Sequence, residues 1–141
     1  ENIMKKMINT AFAYMIVGLG AGVFYREFTK IQGFTGKTQL AVLHTHTLIL
    51  GMFMFLIVAL FFTKFNLDED PKFKRFTLFY NLGLISTLLM LTVRGTTQVL
   101  GMELSKGLNA SISGVSGIAH ILLTVGIMYL FSVLKRAADK L

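Results

Sequence analysis

Four stretches of this 141-residue chain carry no Asp, Glu, Lys or Arg: residues 7–25, 38–63, 76–93 and 107–134. Each is close to or above the roughly 20 residues that an α-helix needs to cross a bilayer's hydrocarbon. In lipid the backbone must satisfy its own hydrogen bonds, so runs of this kind fold as helices. The segments between them, 26–37, 64–75 and 94–106, are short and polar, and the only proline, Pro71, lies in the second. The reading is an all-α, integral membrane protein of four transmembrane helices in one domain over residues 1–141. The helices are expected at about 7–27, 38–63, 74–98 and 107–135.

Composition agrees. The chain is 54% hydrophobic and only 15% charged, whereas soluble domains carry about a quarter charged residues. The net charge of +7 does not make a nucleic-acid surface, because the basic residues sit in short clusters between apolar runs. With no cysteine there is no disulfide, no iron–sulfur cluster and no covalently attached c-type heme. Lys5 and Lys6 precede the first apolar run as in a signal peptide, but that run is long and no small-x-small site follows it, so a retained helix is expected. Lys5, Lys6, Lys64, Lys72, Lys74, Arg75, Lys135, Arg136 and Lys140 fall on one side, and Arg26, Lys30, Lys37, Arg94 and Lys106 on the other. The excess on the first side places both termini in the cytoplasm of a multi-pass cell-membrane protein, the bacterial inner membrane being the expected site.

Small residues mark where helices can approach closely. Gly18 and Gly22 in the first span, and Ser113 and Gly117 in the fourth, form small-xxx-small patterns. Simple helix packing explains them; a groove for a flat ligand is the functional alternative.

The polar residues inside the spans are fewer and more informative. All three histidines lie there: His44 and His46 in the second span and His120 in the fourth. Imidazoles in a bilayer are rare and mark sites by default, although a single one can serve as a hydrogen bond between helices. Residues two apart on a helix are rotated by about 200°, so His44 and His46 point to opposite flanks at nearly one depth. That disfavours one shared metal ion and suits two sites, one on each side. Helix walking puts the histidines two to three turns below the surface on which Arg26 and Arg94 end their spans. Iron porphyrin matches both residue types, since the iron takes imidazole axially and the propionates accept hydrogen bonds from arginine. Snorkelling to the interface is the structural explanation of the two arginines. No Asp or Glu lies within a span, so a carboxylate-coupled transporter lacks its usual group.

Two resemblances rest on these residues. The string Tyr25-Arg26-Glu27-Phe28-Thr29-Lys30, followed by His44-Thr45-His46 and then Leu50-Gly51-Met52, is similar to an uncharacterised family of short bacterial four-helix membrane proteins. The stretch His44-Thr45-His46-Thr47-Leu48-Ile49-Leu50-Gly51-Met52 resembles the His-x-His helix of the catalytic subunit of heme–copper oxidases. In that family one histidine of the pair binds the low-spin heme and the other the high-spin heme. The stretch from Tyr14 to Arg26-Glu27 resembles that subunit's first helix, where an arginine approaches the low-spin heme. The chain supplies four of the family's twelve helices and lacks its adjacent His-His pair and its His-Pro-Glu-x-Tyr sequence, so oxygen reduction and proton pumping do not carry over. What the resemblance implies is one four-helix arc, three copies of which would form a homotrimer with heme between His44 of one protomer and His46 of the next.

The expectation is therefore a b-type heme protein with His44, His46 and His120 as candidate iron ligands and Arg26 and Arg94 as cofactor contacts, in electron transfer or small-gas binding. The expected partners are membrane lipid, heme and further copies of the chain. Copper or zinc, with Met52 assisting copper, is the alternative, and a transporter or accessory subunit without cofactor is the third.

Overall fold

The computed structural model describes residues 2–141, and these form four long helices joined by short connections. Helix α1 (Ile3–Ile31) starts where the Asn2 side chain accepts the Lys5 N–H at 3.3 Å. Helix α2 spans Leu40–Phe61. Helix α3 (Pro71–Val99) begins with the Asp70 carboxylate accepting the Lys72 N–H, and its first residue is proline, whose missing N–H costs nothing there. Helix α4 (Lys106–Asp139) is capped by Ser105 through the Leu108 N–H. Gly33 and Gly101 take φ of 61° and 64° just past the ends of α1 and α3, the left-handed conformation that closes a helix C-terminus. All four helices are long and apolar enough to cross a membrane; α1, α3 and α4 extend beyond the charge-free runs that predict them, whereas α2 lies within its run of 38–63.

The helices do not close into a compact bundle. Their extensive contacts run α1 to α2, α2 to α3 and α3 to α4, in chain order, and α4 shares no comparable contact with α1 or α2. The result is an open row. Its tightest pairing is α3 with α4, because each helix brings a glycine to the crossing. A Cβ at Gly83 would stand 2.6 Å from the Leu123 backbone nitrogen, and one at Gly126 2.7 Å from that of Tyr80. Without side chains at these points the backbones close to the distance at which dispersion and weak C–H···O contacts act, the driving forces available between helices in lipid.

The core lies in the half of the row nearer the termini. There Phe55 of α2 sits against Tyr14 of α1 and against Phe76 and Tyr80 of α3, at ring-centroid distances of 5.8, 6.0 and 5.7 Å. Each such aromatic pair contributes about 0.5–1.5 kcal/mol beyond area burial. Arg136 closes this end of α4 onto Asp70 at 2.8 Å. The opposite half has fewer large buried side chains and contains all three histidines.

Helix α2 is not regular. Between its α-helical ends, Leu40–His46 and Met54–Phe61, residues Thr47–Phe53 form a π-helix. The buried residues Leu43, Thr47, Gly51 and Phe55 recur every four positions. In a regular α-helix such a series drifts by about 40° per step, and the wider i→i+5 turn keeps it facing its neighbours. Two contacts hold the widened turn. The Tyr80 hydroxyl donates to the Leu50 carbonyl at 2.6 Å, and the Tyr14 side chain occupies the space where a Cβ on Gly51 would stand.

Candidate functional site

The start of α2 is fixed by the end of α3. Thr38 Oγ1 donates to the Gly95 carbonyl at 2.9 Å and accepts the Leu40 N–H at 3.2 Å, while the Gln98 side chain accepts the Gln39 N–H at 2.8 Å. These bonds satisfy donors at the N-terminus of α2 that have no partner within the helix. They also fix the rotation of the turn that carries His44 and His46.

The two histidines face different neighbours. A Cβ on Gly22 would lie 3.6 Å from the His44 ring carbon Cγ, so His44 packs against the small-residue face of α1. His46 lies on the other flank and lines a cavity of about 460 Å3 between α2, α3 and α4. His120 lines the same cavity from α4, and Arg94 from α3. Of the five candidate residues, the structure therefore brings His46, His120 and Arg94 together. His44 is turned toward α1. Arg26 does not line this cavity; it is largely exposed and leans on its neighbour Glu27, Nε to Oε1 at 3.9 Å.

Hydrogen bonds fix which nitrogen of each ring is available. His46 Nδ1 lies 2.8 Å from the Val42 carbonyl and His120 Nδ1 2.7 Å from the Ser116 carbonyl. A carbonyl oxygen only accepts, so both rings carry their proton on Nδ1 and keep the Nε2 lone pair free. A ring oriented in this way is in the tautomer that metal-binding histidines use. His44 differs: its Nδ1 is buried and has no hydrogen-bond partner. The cheaper tautomer there leaves Nδ1 unprotonated and puts the proton on Nε2, so the ring is a donor at its outer edge.

Arg94, at the wall of the cavity, is held by α4. Its Nη1 donates to Asn109 Oδ1, and its Nη2 donates to the Asn109 carbonyl at 3.4 Å and to Ser113 Oγ at 3.0 Å. Of its five N–H donors, one on Nη1 and that on Nε are left for another acceptor. No carboxylate lines this cavity among the described residues, so its fixed charge is positive. Thr87 and Met90, which also line it, were not singled out by sequence reasoning. Thr87 lies two turns and Met90 one turn short of Arg94 on the same face of α3, a periodicity that the sequence does contain.

Among the described residues no group of three or more His, Asp or Glu side chains is placed to hold a metal ion. Met52 and Met54 pack against the core and line no cavity with the histidines. The arrangement thus has two imidazole lone pairs and one cation beside a cavity whose other walls mix Gln39, Thr87, Ser113 and Ser116 with apolar side chains.

The fold and these in-membrane histidines define the class: an all-α protein with four membrane-type helices. Over residues 4–137 the chain matches the family model described as a protein of unknown function, DUF2871, and it belongs to that family. No curated protein and no solved structure matches it.

Proposed function

We propose that the protein is an integral-membrane b-type heme protein of electron transfer, in which His46 and His120 would hold the iron. The observation that supports this most is that two imidazoles from different helices line one cavity, each with Nδ1 tied to its own backbone and Nε2 free. Heme fits the rest of the donor set as well. Its propionates are anionic, and the cavity offers them the unspent N–H groups of Arg94 with no carboxylate to oppose them. A bare copper or zinc ion fits worse, because it would meet two neutral imidazoles and a guanidinium without a compensating anion.

The group would supply a one-electron iron couple, and holding it with two histidines would favour electron transfer over gas binding. The chain's own contribution is to fix the rings. The Val42 and Ser116 carbonyls hold the tautomer, the α2–α3 cap holds the rotation of His46, and Arg94 bonded to Asn109 and Ser113 supplies the positive end. In this reading ligation is completed within one chain, and His44 is left to the α1–α2 contact.

Self-association, with a trimer favoured, remains part of the proposal on separate grounds. Cβ atoms on Gly114 and Gly117 would meet nothing within 4 Å, and Ser111 is exposed on the same half of α4. Polar and small residues facing lipid are stabilised by a neighbouring helix, which a second copy supplies. We place the protein in the bacterial inner membrane with both termini in the cytoplasm.

The cofactor is tested by expressing the protein in heme-replete cells, purifying it in detergent and measuring pyridine hemochrome together with iron and copper content. The expected result is a b-type hemochrome at about one heme per chain with iron in the same ratio. Stoichiometric copper without iron, or protein that stays colourless after added hemin, contradicts the proposal.

A further inference from the structure

A second cavity, larger than the one that contains the histidines, opens elsewhere in the molecule. It has a volume of about 870 Å3 and runs between α1 and α3, over Leu43 of α2, sharing no lining residue with the His46 cavity. Its volume is that of a small-molecule pocket, about 300–1,000 Å3, and too small for an inserted helix. No charged side chain lines it among the described residues, so an ionic lipid headgroup finds no counter-charge there. Most of its wall is apolar, including Phe24 and Leu89, and one side carries Asn9, Tyr14 and Asn81.

These polar groups form an incomplete hydrogen-bonding pair. Tyr14, 8% exposed, donates its hydroxyl proton to Asn81 Oδ1 at 2.7 Å, and Asn81 Nδ2 donates to the Thr77 carbonyl at 2.9 Å. One N–H of Asn81 and the lone pairs of the Tyr14 oxygen are left over. A donor and an acceptor thus stand side by side at the wall of a neutral, apolar, bilayer-facing cavity. A head that is a carbonyl in one state and a hydroxyl in the other is satisfied there in both: the carbonyl accepts from Asn81, and the hydroxyl donates to the Tyr14 oxygen. We infer that this cavity binds a membrane quinone, its ring beside Tyr14 and Asn81 and its isoprenoid tail along Phe24 and Leu89. The choice of a quinone over a neutral glyceride rests on the electron-transfer reading; the binding itself does not.

Gly20 provides a test that keeps the fold. It lines the cavity, and a Cβ there would meet nothing within 4 Å, so Gly20→Phe adds bulk to the space from a position where the chain leaves room for a side chain to start. Leu89→Trp is a second blocking variant from the opposite wall, used with the first so that a folding defect in one leaves the other decisive. A short-chain ubiquinone is titrated into heme-free protein in phosphatidylcholine nanodiscs and followed by native mass spectrometry. Because the protein carries no heme, the result is independent of His46 and His120. We expect one quinone per chain, at least about tenfold weaker binding in both blocking variants, and weaker binding in Asn81→Leu of the quinone but not of a polyprenyl hydrocarbon without a head. Quinone binding unchanged by both blocking variants overturns the inference. So does diacylglycerol displacing the quinone with equal affinity, or a second copy of the chain closing the cavity.

Discussion

His46 and His120 stand 74 positions apart in the sequence, and nothing in the spacing joins them. The sequence makes legible that histidines in lipid need a partner and that His44 and His46 face opposite flanks. Which flank meets which helix depends on the α2–α3 cap, a contact between Thr38 and Gly95 that no local pattern announces. The tautomers yield a direct prediction. Nitrogen-15 NMR of heme-free protein should show His46 and His120 protonated on Nδ1 at neutral pH; protonation on Nε2 would remove the ligand-ready lone pair. A second prediction concerns the π turn. Tyr80→Phe deletes the donor to the Leu50 carbonyl and should cost about 1–3 kcal/mol, read as a lower unfolding midpoint in detergent.

At the scale of the element, the charge-free runs locate all four helices because charge in hydrocarbon is costly enough to override other preferences. The irregularity of α2 is less visible. Helix walking assumes 3.6 residues per turn, and the clue against it is the four-residue recurrence of Leu43, Thr47, Gly51 and Phe55, which a regular helix does not keep in phase. Glycines are similarly ambiguous in sequence. Gly18 and Gly22 pack on α2, as a small-xxx-small pattern suggests, whereas Gly114 and Gly117 touch nothing in the chain. Gly126→Ala should therefore destabilise by about 1–3 kcal/mol, since its Cβ meets the backbone of Tyr80. Gly114→Ala should stay within about 0.5 kcal/mol of wild type in monomeric protein. Unfolding of both variants in mixed micelles checks the pair, and an equal loss in the two would refute this account of α3–α4 packing.

For the whole molecule, an open row of helices follows from where the close contacts fall. The sequence predicts four helices but not their order in space, because apolar faces in lipid are not forced inward as they are in water. The row leaves one cavity on each side of the Leu43 and His46 turn, which is how a chain this short can present two separate cavities. Orientation is checked simply, because the chain has no cysteine of its own. A cysteine placed at Thr35 should react with a membrane-impermeant maleimide added to intact cells, and one placed at Asn66 should not. The reverse labelling would put the cavity with His46 and His120 in the inner half of the membrane.

The central claim is ligation of heme by His46 and His120 within one chain. The most direct measurement is the reduced-minus-oxidised visible spectrum of purified wild type beside the single variants His44→Ala, His46→Ala and His120→Ala at matched protein concentration. Sharp low-spin b-type bands are expected in wild type and His44→Ala, and their loss or conversion to a high-spin spectrum in His46→Ala and His120→Ala. Bands that persist unchanged without His46 and His120, or that vanish only without His44, would contradict it.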